Sequence, residues 1–196
     1  MEPVALTGSM GVKRHLRIDA DDTDFDDLLA ELIRAAREAV EHDADVCLLT
    51  QSWELTLDSF PSSSDTAIEL PKRPAQSVTS ISYVDTNGDT QTWDEDEYQV
   101  DVSSTVRRGR VRPAYGMDWP TTRDQLGAVR IEFVAGYGDT AADVPRLLKQ
   151  AMLLWIAASH ELPEAVVVLT RAKRAELVPG PQAYWALIRR LRLESA

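Results

Sequence analysis

The chain has 196 residues, of which 44% are hydrophobic and 27% charged, enough for one globular domain or a domain carrying a sizeable insertion. Its formal net charge of −11 argues against tight nucleic-acid binding, which draws on clustered Lys and Arg. Its longest apolar run, around residues 151–158, falls far short of the roughly 18 residues that cross a bilayer. The first residues lack a basic stretch followed by an apolar core, so no signal peptide is expected. One cysteine, Cys47, excludes an internal disulfide, fits a reducing cytoplasm and is expected to be a small buried hydrophobe.

Taken in chain order, Ser9 is placed to cap a short helix through Ile18, with Val12, Leu16 and His15 facing inward. Six Asp follow in the nine residues 19–27 (DADDTDFDD). Thr23 and Asp26 have the spacing of a capping box, and acidic groups suit the positive end of a helix dipole. Phe25, Leu28, Leu29, Leu32, Ile33, Ala36, Ala39 and Val40 recur at helical spacing, which predicts one amphipathic helix over 24–43.

The period then changes to two. Trp53, Leu55 and Leu57 alternate with polar residues as in a half-buried strand, and short strands are expected at 68–70, 78–84, 90–93, 98–102, 110–112 and 128–134. Between two of them stands Thr86-Asn87-Gly88-Asp89, and Asn-Gly between alternating segments is a strong hairpin signal. Gly136-Tyr137-Gly138 stops the last strand, and Pro145 lies in the first turn of the next helix, where its missing N–H costs nothing. Leu147, Leu148, Ala151, Met152, Leu154, Trp155 and Ala158 cover most of that helix, so it must be buried on several sides. A weaker helix is expected at 165–177. Past Pro179-Gly180-Pro181, a last amphipathic helix over 182–193 sets Tyr184, Leu187, Ile188 and Leu191 against Arg189, Arg190 and Arg192. The pattern is α+β: a small helical bundle from the two ends of the chain with an inserted antiparallel β-sheet subdomain. Its expected parts are 1–48 (N-terminal helices), 49–135 (β insertion), 136–178 (C-terminal core helices) and 179–196 (a helical arm).

No residue set spells a reaction. An EF-hand loop needs Gly at its sixth position and Glu at its twelfth, and the Asp cluster offers Asp24 and Ala30, or Asp27 and Ile33; it is a solvated helix start. Gly136 and Gly138 lack the third glycine of a dinucleotide fingerprint and the Gly-Lys-Ser/Thr of a P-loop, leaving a turn that needs positive φ. His15, His42 and His160 have no metal-ligand spacing to one another or to Cys47. Triads are built from residues distant in sequence, so spacing alone leaves one open, but no G-x-S-x-G elbow supports it. No catalytic, cofactor-binding or metal-binding residue is therefore assigned, and no cofactor is expected. Trp53, Trp93 and Trp155 read as core packing. Trp119, in Asp118-Trp119-Pro120, reads as a structural anchor and is the best contact residue of the five tryptophans.

Charge is uneven. Residues 1–45 carry 5 basic and 12 acidic groups (−7), whereas 171–196 carry 6 and 2 (+4). Arg171, Lys173, Arg174, Arg189, Arg190 and Arg192 are either a solvated helix face or a surface that grips carboxylates on an acidic partner.

Several segments together resemble a known family: VKRHLRID (12–19) with the acid-started helix after it, LTQSWELTLDSFP (49–61), LPKRPAQSVTSISYVD (70–85), YGMDWPTTR (115–123), and 127–150 with its GYG and Val144-Pro145. In number and order they are similar to the head–tail connector (adaptor) proteins of long-tailed bacteriophages and prophages, in the variant with a β insertion between its helices, over about residues 10–180. Relatives often carry a longer polar stretch after the core helix, where this chain has ASHELP at 158–163. The resemblance implies a non-enzymatic structural subunit of the virion neck, assembled in the host cytoplasm into a ring, usually a dodecamer. It further implies docking between the portal and the stopper or tail-completion protein, with DNA passing through unread and no membrane contact. Opposite charges on body and arm would supply the two unlike faces a ring needs. The rival readings are a β-rich carbohydrate- or peptide-binding module with Trp93 and Trp119 as platforms, and a small metal-dependent hydrolase.

Overall fold

The computed structural model describes residues 2–8, 11–161 and 182–193. The fold is α+β and divides into two compact units, Met1–Leu48 with Gly138–Ala196, and Leu49–Tyr137. Within the described residues the first unit is helical and the second is built of strands.

The helical unit contains α1 (Val12–Leu16), α2 (Asp26–Ala44), α3 (Arg146–Glu161) and α4 (Gln182–Leu193). The helix α3 packs against α1, α2 and α4, and α4 also packs against α2. Leu29, Ile33, Ala36 and Val40 of α2 are buried with Leu148, Ala151, Met152 and Ile156 of α3, two stripes at the three- and four-residue spacing that brings side chains onto one face. The helix α4 adds Tyr184 and Ile188 to this core, each 1% exposed.

The first helix is shorter than its sequence pattern implies. Arg17 enters the left-handed region (φ 60°) and ends it after Leu16. His15 is exposed and Leu16 half-buried, whereas Lys13 is buried. The expected capping box is also absent: Phe25 caps α2 without a side-chain hydrogen bond. Phe25 and Leu28, the leading residues of the apolar stripe, are 45% and 50% exposed. The third helix starts at Arg146, directly after Pro145, and the helix expected at 165–177 lies outside the described residues.

The β unit holds β1 (Gln51–Leu57), β2 (Ile68–Glu69), β3 (Ala75–Val84), β4 (Thr90–Thr92), β5 (Tyr98–Asp101), β6 (Arg110–Pro113) and β7 (Val129–Ala135). They form two antiparallel sheets, of order β1-β7-β3-β4 and β2-β6-β5. In the central strand β7, buried Val129, Ile131, Phe133 and Ala135 alternate with Arg130, Glu132 and Val134, the period-two signature of one buried face. The Asn-Gly hairpin forms as its sequence predicts: Gly88 takes φ 97°, and Asp85 Oδ1 accepts the backbone N–H groups of Asn87, Gly88 and Asp89 at 2.9–3.0 Å. A hydrogen bond from the Gln91 amide to Oδ2, together with these backbone bonds, holds the Asp85 carboxyl below its usual pKa. Trp53 departs from expectation. It lies on edge strand β1, 36% exposed, with the Lys72 ammonium 4.7 Å from its ring centroid.

Candidate functional site

The acidic stretch before α2 is organised around a cation supplied by the chain. Lys13 Nζ donates to the Ala20 carbonyl (3.2 Å) and the Asp22 carbonyl (2.7 Å), and pairs with Asp26 Oδ1 at 2.6 Å. Burial of an ammonium demands such partners, and these are provided by the loop that resembled a calcium site in composition. Among the described residues, no group of three or more His, Cys, Asp or Glu is placed to hold a metal ion. Nothing local singles out Lys13, because VKRHL offers three basic side chains in a row and burial selects one of them.

The glycines at 136 and 138 mark close backbone approach. Gly136 has φ 139°, and a Cβ there would collide with the Leu49 carbonyl. Its carbonyl accepts the Gln76 amide (2.8 Å), and its N–H donates to the Pro74 carbonyl (2.8 Å). At Gly138 a Cβ would lie 2.6 Å from the Asp143 side chain. Asp143 Oδ2 in turn accepts from the Thr140 hydroxyl (2.7 Å) and N–H (2.9 Å), which lowers its pKa. This is a turn closed on itself rather than a phosphate cradle.

Trp119 sits in an aromatic cluster. It stacks on Phe60 (5.0 Å, 19°) and meets Trp93 at 5.3 Å, and Trp93 meets Tyr98 at 5.2 Å. The Trp119 indole N–H donates to the Ser63 carbonyl at 3.1 Å. These contacts anchor the loop 114–122 to the loop 60–65 and leave an open cleft of about 480 Å³ between them, lined by Ser62, Ser64, Asp118, Trp119, Thr121 and Thr122. Its polar lining offers hydrogen-bonding groups, with Asp118 the one acidic side chain among them.

The C-terminal basic residues divide. Arg171, Lys173 and Arg174 lie outside the described residues. Arg189 and Arg190 are exposed on α4, and Arg192 falls in its last turn. The opposite face of α4 is anchored where Tyr184 Oη donates to Asp43 Oδ2 at 2.6 Å. The structure thus brings Arg189 and Arg190 together on one helix and places Trp119 in the other unit.

A family model described as Phage gp6-like head-tail connector protein matches residues 11–109. The chain is similar to one in the virion of a native gene transfer agent particle, with 27% identity and a TM-score of 0.69, covering 92% of this chain and 86% of that one. It is also similar to chains in the neck of the empty particle computed with C6 symmetry (26% identity, TM-score 0.68, 92% and 86% covered). For the neck of the native particle computed with C12 symmetry the values are 26%, 0.64, 98% and 93%. No curated protein matches the chain.

Proposed function

The chain belongs to the phage gp6-like head-tail connector family, and from that premise we propose that it is a non-enzymatic subunit of a connector ring in the neck of a phage or phage-like particle. The observation that carries this reading is the likeness of 98% of the chain to one in a neck computed with C12 symmetry. A closed ring needs two different complementary faces on each subunit, and twelve copies is the stoichiometry proposed. The portal would lie on one side and the stopper or tail-completion protein on the other. DNA would pass through the centre, where an acidic wall repels phosphate and lets it slide.

In this reading the helical segments 1–48 and 136–178 form the ring body, and the β insertion, 49–135, faces a neighbouring component. The segment 179–196 carries Arg189, Arg190 and Arg192, which with Arg171, Lys173 and Arg174 would grip acidic groups of the portal; Trp119 would be a contact residue of the β insertion. Because Tyr184 and Ile188 belong to the core, removing the whole segment would damage the fold. Charge reversal is the cleaner test. Heads produced without this chain are mixed with purified wild-type or Arg189→Glu/Arg190→Glu protein and imaged by electron microscopy. Twelve-fold rings on the portal, tail joining with wild type and its loss with the variant are expected. Tail joining without any added chain would overturn the connector role, and unimpaired joining by the variant would overturn the arm assignment alone.

A further inference from the structure

The β5–β6 hairpin has two unlike ends. Its register runs from Tyr98 opposite Pro113 to Asp101 opposite Arg110, three steps or about 10 Å of strand. At the Tyr98 end, the Ala114 N–H donates to the Glu97 carbonyl (2.8 Å) and the Met117 N–H to the Ala114 carbonyl (3.0 Å), with Gly116 at φ 80°. This fixed turn presents Tyr115 100% exposed and Met117 41% exposed. Exposed Glu95 and Asp96 lie on the adjoining 3-10 turn. At the Asp101 end, the turn 102–109 exposes Arg107 and Arg108. That turn is also fixed: the Arg73 guanidinium donates to the Val106 carbonyl (2.8 Å), and Ser104 Oγ accepts the N–H groups of Val106 and Arg107. One end is therefore apolar and acidic, the other basic; the first is held by backbone–backbone hydrogen bonds and the second by side chains bonded to its backbone.

Large apolar side chains on a rigid turn have the character of interface anchors, and Arg both pairs with carboxylates and stacks on aromatic rings. We propose that the two ends of this hairpin mate head to tail between neighbouring copies of the chain, with Tyr115 and Met117 of one copy seated against Arg107 and Arg108 of the next. Glu95 and Asp96 supply the complementary charge. The proposal rests on the ring reading above and names one of its contacts. Because the ends differ, the contact is heterologous, the kind that closes rings rather than isolated two-fold dimers.

The test uses the full chain, as wild type and as two charge-reversed forms, Glu95→Lys/Asp96→Lys and Arg107→Glu/Arg108→Glu, each first checked for an unchanged thermal melt. Ring formation is measured by mass and electron microscopy, free in solution and on heads lacking the chain, at low and high salt. Each reversed form alone is expected to need at least tenfold more protein than wild type. An equimolar mixture of the two should recover wild-type assembly, because alternating copies restore opposite charge at every contact. Tyr115→Ser should weaken assembly without being rescued by the mixture. Wild-type-like rings from either reversed form alone would overturn the contact and leave the ring standing. Intact rings that fail to join tails would assign the surface to a different neck component instead. Wild-type protein that forms no ring even on heads would overturn the ring reading, and this contact with it.

Discussion

Lys13 shows how one side chain can decide the meaning of a stretch of sequence. Its ammonium, 3% exposed, meets the Ala20 and Asp22 carbonyls and the Asp26 carboxylate, so a stretch whose six Asp look like a cation site closes on a cation of the chain's own. Removing the charge leaves these acceptors without a donor, a larger loss than the net worth of the pair. Asp26 is one-third exposed, so water offsets part of it. Lys13→Met, which keeps most of the stem packing, is expected to cost about 2 kcal/mol in urea unfolding; an unchanged midpoint would show the contacts to be idle. Asp101 provides a test in pH. The Arg110 hydrogen bond, with further bonds from Ser103, lowers its pKa from 3.8 to about 2. A carboxylate whose folded pKa is depressed stabilises the folded state above its unfolded value and loses that contribution as pH falls through the folded one. The contribution is therefore complete above about pH 4 and fades between there and pH 2. Carboxyl NMR should find the Asp101 midpoint near 2, moving up toward 3.8 in Arg110→Ala; a wild-type midpoint near 3.8 would contradict the hydrogen bond at 2.6 Å.

At the scale of elements, α4 is amphipathic in sequence and anchored in structure. Its Arg189 and Arg190 face water while Tyr184 and Ile188 are core residues. Tyr184→Phe removes one hydrogen bond to Asp43 and is expected to cost about 1 kcal/mol. Tyr184→Ala also leaves a cavity and should cost about 3–5 kcal/mol, measured in the same urea titration. Equal, small effects from both would mean that α4 contributes little to the core. The helix was legible in the sequence because its apolar residues recur at three and four positions. Its role in the core was not, since a stripe shows that a face is buried without showing against what. The same gap explains α3, where Leu148, Ala151, Met152, Leu153 and Ile156 are buried and Leu147, Leu154, Trp155 and Ala158 are only half-buried. Its nearly continuous apolar surface exceeds what the described residues of one subunit cover.

At the scale of the molecule, the β unit closes on itself. Gln51 pairs with Ala135, and Gly136 packs against the Leu49 carbonyl, so the two ends of the unit meet. Loop-closure entropy is already met where the chain enters and leaves, and the aromatic cluster and buried β7 face lie within the unit. Residues 49–137 expressed alone are therefore expected to fold, giving dispersed amide spectra that overlay those of the same residues in the full chain. A collapsed, poorly dispersed spectrum would show that the sheet depends on the helical unit.

By itself the sequence determined the type of the elements found among the described residues, though not the end of α1, where the Asn-Gly hairpin turns, that Cys47 is buried, and that the chain resembles a connector. These follow from local rules: side-chain periodicity, the φ freedom of glycine, the missing N–H of proline, and the order of segments along the chain. Only the tertiary structure decided that Lys13 and not His15 is buried, that Trp53 is on an exposed edge while Trp119 is pinned to Phe60, and that Tyr184 locks α4 onto α2. Burial and pairing depend on residues as far apart as Asp43 and Tyr184, and no local pattern specifies which distant surface will cover a given side chain.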